Sequence, residues 1–150
     1  MRAHSLALFA AMALGGCATA ERSADTAAPG SLWLAGLRGD PSEFPLAGRR
    51  DVKVVYSLVN ESRRMQRLDF PTAQRLEVTM RGPDGRRLFQ WSEDRSFAAV
   101  ASSVVVNPGE RLEYEAAVPT RDMAAGAVYT VEAVLPGHAE TVAAAELRPR

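Results

Sequence analysis

Asp51-Val52-Lys53-Val54-Val55-Tyr56-Ser57-Leu58-Val59-Asn60 decides the fold class. Side chains alternate across a strand with period two, so Val52, Val54, Tyr56 and Leu58 share one face. Lys53, Val55, Ser57 and Val59 share the other. Both faces are rich in β-branched residues, the pattern of a central strand partly covered on each side. Asn60 ends the run and closes a turn through its own side chain.

Similar runs recur outward from this one, separated by Gly, Pro, Asn and Asp. Residues 65–70 form a strand stopped by Pro71. Residues 75–81 place Leu76, Val78 and Met80 inward and Arg75, Glu77, Thr79 and Arg81 outward. Gly82-Pro83-Asp84-Gly85 then turns the chain, with Pro fixing φ and Gly supplying positive φ. Residues 86–91 return as the hairpin partner and bury Phe89 and Trp91. Residues 103–106 are β-branched, Asn107-Pro108-Gly109-Glu110 turns, and residues 111–118 point Leu112, Tyr114, Ala116 and Val118 inward. Residues 127–135 align Tyr129, Val131, Ala133 and Leu135 on one face, and Pro136-Gly137-His138 leads to a last, alanine-rich strand at 140–147. A first strand occupies 32–37, with Trp33. Residues 119–126 compete with a single helical turn, because Ala raises helix propensity. Short strands at this spacing predict an all-β antiparallel sandwich of about eight strands.

Residues 31–150 are enough for one such domain. Ahead of them, residues 18–30 hold no large apolar side chain and read as a disordered tether. The whole chain carries 18 basic and 18 acidic residues, and Lys53 is the sole lysine. This balance leaves no basic field for nucleic acid and no acidic one for cationic partners. Two histidines, His4 and His138, and one cysteine, Cys17, exclude a metal site built on His and Cys, and no disulfide is available within the chain. Nucleophilic catalysis needs a base within reach of the nucleophile. His138 falls in a turn and reads as solvated, while Glu93, Asp94, Glu113 and Glu115 read as exposed charge pairs with neighbouring cations. No catalytic constellation and no cofactor-binding motif emerges.

The amino terminus is an address. Leu6 to Gly16 is wholly apolar or small and follows Arg2. Eleven helical residues span about 16 Å, half a bilayer core, so the segment reads as a secretory signal and not as a membrane span. Leu14-Gly15-Gly16-Cys17 resembles the lipobox of bacterial lipoproteins. The resemblance implies cleavage before Cys17, acylation of its thiol and new amino group, and a membrane anchor. Two or three fatty chains hold firmly, at about 0.8 kcal/mol per buried CH₂. The expected organisation is a signal peptide at 1–16, a lipidated tether at 17–30 and the sandwich at 31–150. Ala18, in place of Asp, implies the outer membrane facing the periplasm by that family's sorting rule.

A second resemblance covers residues 55–134. Its parts are Leu58-Val59-Asn60-Glu61-Ser62, Phe70-Pro71-Thr72-Ala73-Gln74-Arg75-Leu76-Glu77-Val78, Pro83-Asp84-Gly85 and Leu88-Phe89-Gln90-Trp91-Ser92. Phe97, Pro108-Gly109-Glu110, Tyr114 and Gly126 with Tyr129-Thr130-Val131 continue the series. The ordered set resembles the BsuPI-type intracellular proteinase inhibitors, which implies an Ig-like sandwich and inhibition of a proteinase by protein binding. Trp91, Phe97 and Tyr129 also fit as fillers between two sheets. Two loops, residues 92–99 and 119–126, are candidates for the inhibitory element, and the residues alone do not choose between them. The alternative function is a non-inhibitory accessory lipoprotein that binds an envelope protein or glycan.

Overall fold

The computed structural model describes residues 32–150, so the signal peptide, Cys17 and the tether lie outside the described residues. Ten strands follow in order: β1 (Trp33–Asp40), β2 (Glu43–Phe44), β3 (Asp51–Asn60), β4 (Gln66–Phe70) and β5 (Glu77–Arg81). They continue with β6 (Arg87–Gln90), β7 (Ser102–Val106), β8 (Arg111–Pro119), β9 (Tyr129–Leu135) and β10 (His138–Pro149). The described chain is an all-β sandwich, as its alternating runs predict, and of the Ig-like kind that the BsuPI resemblance implies.

One sheet has the order β1-β3-β8 and the facing sheet β2-β10-β9-β5-β6, with β4 and β7 forming a separate antiparallel ribbon. β3 is central in its sheet, between β1 (Leu37 opposite Tyr56) and β8 (Tyr114 opposite Tyr56). Its inward face, Val52, Val54, Tyr56 and Leu58, is fully buried. The core continues through Leu37, Val118, Val78, Met80, Val131 and Leu135, while Leu68, Phe70 and Val106 seal it from the ribbon. Each such side chain gains about 1.5–3 kcal/mol from burial. Across the core the Tyr56 hydroxyl donates to the Thr141 carbonyl at 2.6 Å, tying β3 to β10. Burial pushes that phenol up to about 12 from its ordinary 10.

Buried Asn60 is a tie point as well as a turn closer. Its amide donates to the carbonyls of Arg64 (2.8 Å) and Val106 (2.9 Å), and its Oδ1 accepts from the Ser62 N–H at 3.0 Å. In the ribbon, the Ser103 hydroxyl and the Arg67 guanidinium hold the Asp69 carboxyl below the usual carboxylate range.

Four local expectations change. β2 adds a strand: Glu43 and Phe44 run parallel to Arg148 and Pro149 of β10, and Phe44 is buried. β10 is the longest strand, twelve residues, with a register shift between His138 and Ala143. β6 lies at the edge of its sheet and ends at Gln90, so Phe89 and Trp91 are half-buried and not core residues. His138 is not a solvated turn residue. Its side chain is 16% exposed and its ring packs edge-on against Phe70 at 5.5 Å. Nε2 hydrogen-bonds the Asp69 carbonyl at 2.9 Å, and Nδ1 lies 3.5 Å from Glu140.

Candidate functional site

The candidate loops, residues 92–99 and 119–126, fall in the connections 91–101 and, apart from Pro119 of β8, 120–128, which occupy opposite ends of the five-stranded sheet. β5 pairs with β9 antiparallel, Glu77 opposite Val134 and Arg81 opposite Thr130. Residues 120–128 enter at Tyr129, beside Arg81, whereas residues 91–101 leave Gln90 at the Glu77 end.

Residues 120–128 make two tight turns, and the competing helical turn does not form. Thr120, itself buried, donates through its N–H to the Arg50 carbonyl (3.0 Å) and through its hydroxyl to the Arg49 carbonyl (2.6 Å). The Ala124 N–H donates to the hydroxyl of buried Tyr129 at 2.7 Å. Gly126, at φ 82°, donates its N–H to the Pro149 carbonyl at 2.9 Å. A helix would need those donors and a negative φ at residue 126, so these anchors override the helix propensity of the alanines.

Residues 91–101 form the longest segment among the described residues with no strand or helix. The Trp91 N–H donates to the Val78 carbonyl at 2.8 Å, and two turns follow, Glu93 N–H to Gln90 carbonyl and Arg95 N–H to Ser92 carbonyl, each 3.2 Å. Glu77 organises this region. Its Oε1 accepts from the N–H groups of Ser92 and Val78, both at 3.2 Å. Its Oε2 accepts from the side-chain amides of Gln74 (3.2 Å) and Gln90 (3.4 Å). Alternation placed Glu77 outward on its strand; the loop folds over that face, so the carboxylate is half-buried and is not a solvated charge.

Aromatic contacts hold the next stretch. The Arg95 guanidinium lies over the Trp91 ring at 4.1 Å, and the Phe97 ring packs on Trp91 at 5.6 Å with planes 32° apart. Trp91 and Phe97 are thus loop supports, while Tyr129 is the aromatic that fills the sandwich. Beyond them the Ala98 carbonyl accepts from the Ala73 N–H at 2.9 Å. Ala98, Ala99, Val100 and Ala101 are all exposed before the chain enters β7. Arg75 fastens that entry: its guanidinium donates to the Ser102 hydroxyl and to the Thr72 carbonyl (2.8 Å) and stacks over Phe70 at 4.6 Å. The segment is therefore pinned on both sides and open in the middle.

Gln74 and Ser92, polar residues at strand edges in the sequence, meet at Glu77. Glu93 pairs with Arg87 at 3.4 Å, and Glu115 with Lys53 at 3.1 Å, both pairs exposed. In sequence Glu77 is one outward residue of an alternating strand, and that pattern does not reveal that four donors converge on it. A trough of about 490 Å³ lined by Gln74, Glu77, Val134 and His138 lies beside the loop's base. Among the described residues no three His, Cys, Asp or Glu side chains gather where a metal ion could be held.

The family model "BsuPI: Intracellular proteinase inhibitor" matches residues 45–140, a span that includes both loops. The chain belongs to that family. No curated protein matches it. Among solved structures, a β-glucosidase from Erythrobacter marinus is 11% identical over 79% of this chain, with a TM-score of 0.44. The sporulation control protein Spo0M of Bacillus subtilis is 9% identical over 80% of this chain, also at 0.44. A Bacteroides uniformis β-glucuronidase is 14% identical over 75%, at 0.38. This chain spans 15%, 50% and 12% of those three chains respectively.

Proposed function

We propose that this BsuPI-family domain inhibits a proteinase outside the cytoplasm by seating residues 91–101 in the enzyme's cleft, while acylated Cys17 tethers it to the membrane. The single observation that carries the choice of loop is the open main chain of residues 99–101 between two fixed ends. An inhibitor loses least entropy on binding when its loop is already held in shape. Here a carboxylate hub and a Trp–Arg–Phe stack hold it. Residues 120–128 offer less, because their donors are committed to the frame.

The test is kinetic. Purified protein at micromolar concentration slows at least one serine, cysteine or metalloproteinase in a panel, and no slowing of any of them rejects inhibition. Anchoring rests on Leu14-Gly15-Gly16-Cys17 after the apolar run. The Cys17→Ser chain then loses its membrane fractionation and its lipid mass; unchanged fractionation rejects the anchor. Localisation at the outer membrane rests on Ala18 and is read by separating the two membranes.

A second reading has its own observation. The outer face of β1-β3-β8 carries a trough of about 250 Å³, floored by Gly36, Val55 and Ser57 and rimmed by Arg38, Arg111 and Glu113. An accessory lipoprotein would hold an envelope protein or glycan there. Crosslinking in native membranes separates the readings: contacts from residues 91–101 to a proteinase support inhibition, and contacts from Arg38 or Arg111 to another partner support the second.

A further inference from the structure

Resting on the reading of residues 91–101 as the proteinase-facing loop, we infer that the target is a proteinase with a small apolar primary pocket, and that Val100 is the side chain that enters it. Of the loop's larger side chains, Arg95, Phe97 and Glu93 are engaged elsewhere, and Asp94 stands with Glu93 in the opening turns, away from the open residues 99–101. The Arg95 guanidinium lies over the Trp91 ring at 4.1 Å, so it is engaged there and does not extend toward a basic-specific pocket. Phe97 is half-buried against the same indole, so it is not offered to a wide aromatic pocket. Glu93 pairs with Arg87 within the opening turns of the loop.

Val100 is different. It is 62% exposed and lies among the exposed small residues Ala98, Ala99 and Ala101. No main-chain hydrogen bond joins residues 99–101 to another described residue, leaving their N–H and C=O groups open to pair with a cleft as an added strand. A β-branched side chain favours the extended backbone such pairing needs. The run carries no charge, which suits a desolvated apolar pocket. A pocket narrowed to accept Ala or Val discriminates by size against larger residues.

The experiment compares the full chain with Val100→Arg and Val100→Asp on three serine proteinases, whose pockets prefer small apolar, basic and aromatic residues. Thermal melts confirm folding, since an exposed loop position leaves the melting temperature unchanged. Wild type is expected to inhibit the small-pocket enzyme most strongly. Val100→Asp and Val100→Arg each lose about 100-fold there, and Val100→Arg gains on the basic-specific enzyme. If wild type inhibits but both variants stay within threefold, the Val100 assignment is wrong and the inhibitor reading stands. If wild type inhibits only the basic- or aromatic-specific enzyme, the pocket class is wrong. If wild type inhibits no proteinase of any class, both readings fall together.

Discussion

Residues 91–101 and 120–128 leave opposite ends of the same sheet and are secured by different chemistry. The 120–128 loop is fixed by main-chain donors given to the frame, at Arg50, Pro149 and the hydroxyl of buried Tyr129. The 91–101 loop is fixed at its opening turns and at Ala98 by main-chain bonds, with the Glu77 carboxylate gathering its base and Trp91 its middle. A loop tied by its own backbone has little backbone left to offer a partner. The 91–101 loop, tied up to Ala98 and again at Ser102, keeps its backbone free in residues 99–101. The first arrangement closes the sandwich, and the second presents a surface.

Truncating the support of each loop breaks this comparison most sharply. Tyr129→Ala removes a core aromatic along with the hydroxyl under Ala124, and costs about 3–5 kcal/mol of stability. Denaturant melts measure that loss, while inhibition by the fraction that remains folded is unchanged. If potency falls instead, the 120–128 loop touches the proteinase.

Raising the pH attacks the frame under both loops. The folded state holds the Tyr56 proton to about 12, whereas the unfolded chain releases it near 10. Stability from this group is complete below pH 10 and is lost as the pH climbs toward 12, because the unfolded state then binds fewer protons. Melts across pH 9–12 show the decline, and Tyr56→Phe flattens its share of the slope.

Glu77→Ala gives the converse of Tyr129→Ala. It strips the acceptor from Ser92, Gln74 and Gln90 and costs about 1–3 kcal/mol, but its larger effect is on potency, which drops at least tenfold as the loop loses its preset shape. Glu77→Gln, which keeps one acceptor oxygen, falls between. Equal potency in all three proteins would remove the hub from the mechanism. The smallest effect comes from Gly126→Ala, about 1 kcal/mol from forcing a side chain into positive φ, with potency unaffected.

The strands were legible because alternation is local. Val52 to Leu58, Leu76 to Met80 and Tyr129 to Leu135 each announce a buried face within a few residues, and each is buried. Phe44 was not legible: a lone apolar residue before Pro45 gives no period, and its strand exists only because β10 passes alongside. His138 misled because Pro-Gly marks a turn, and the turn is there, but Asp69 and Phe70 arrive from distant sequence to cover the ring. Glu77 fits the outward face in sequence yet sits under a loop that returns over that face. The alanines of residues 124–127 carry a helix propensity that three anchors outweigh.

Sequence alone determined the fold class, the core faces of the clearest strands and the family, because periodicity, turn chemistry and ordered motifs are written along the chain. Only the tertiary structure settled which main-chain groups of the 91–101 and 120–128 connections stay open. That outcome depends on where donors separated by tens of residues find acceptors, and a one-dimensional pattern records which groups exist but not which of them meet.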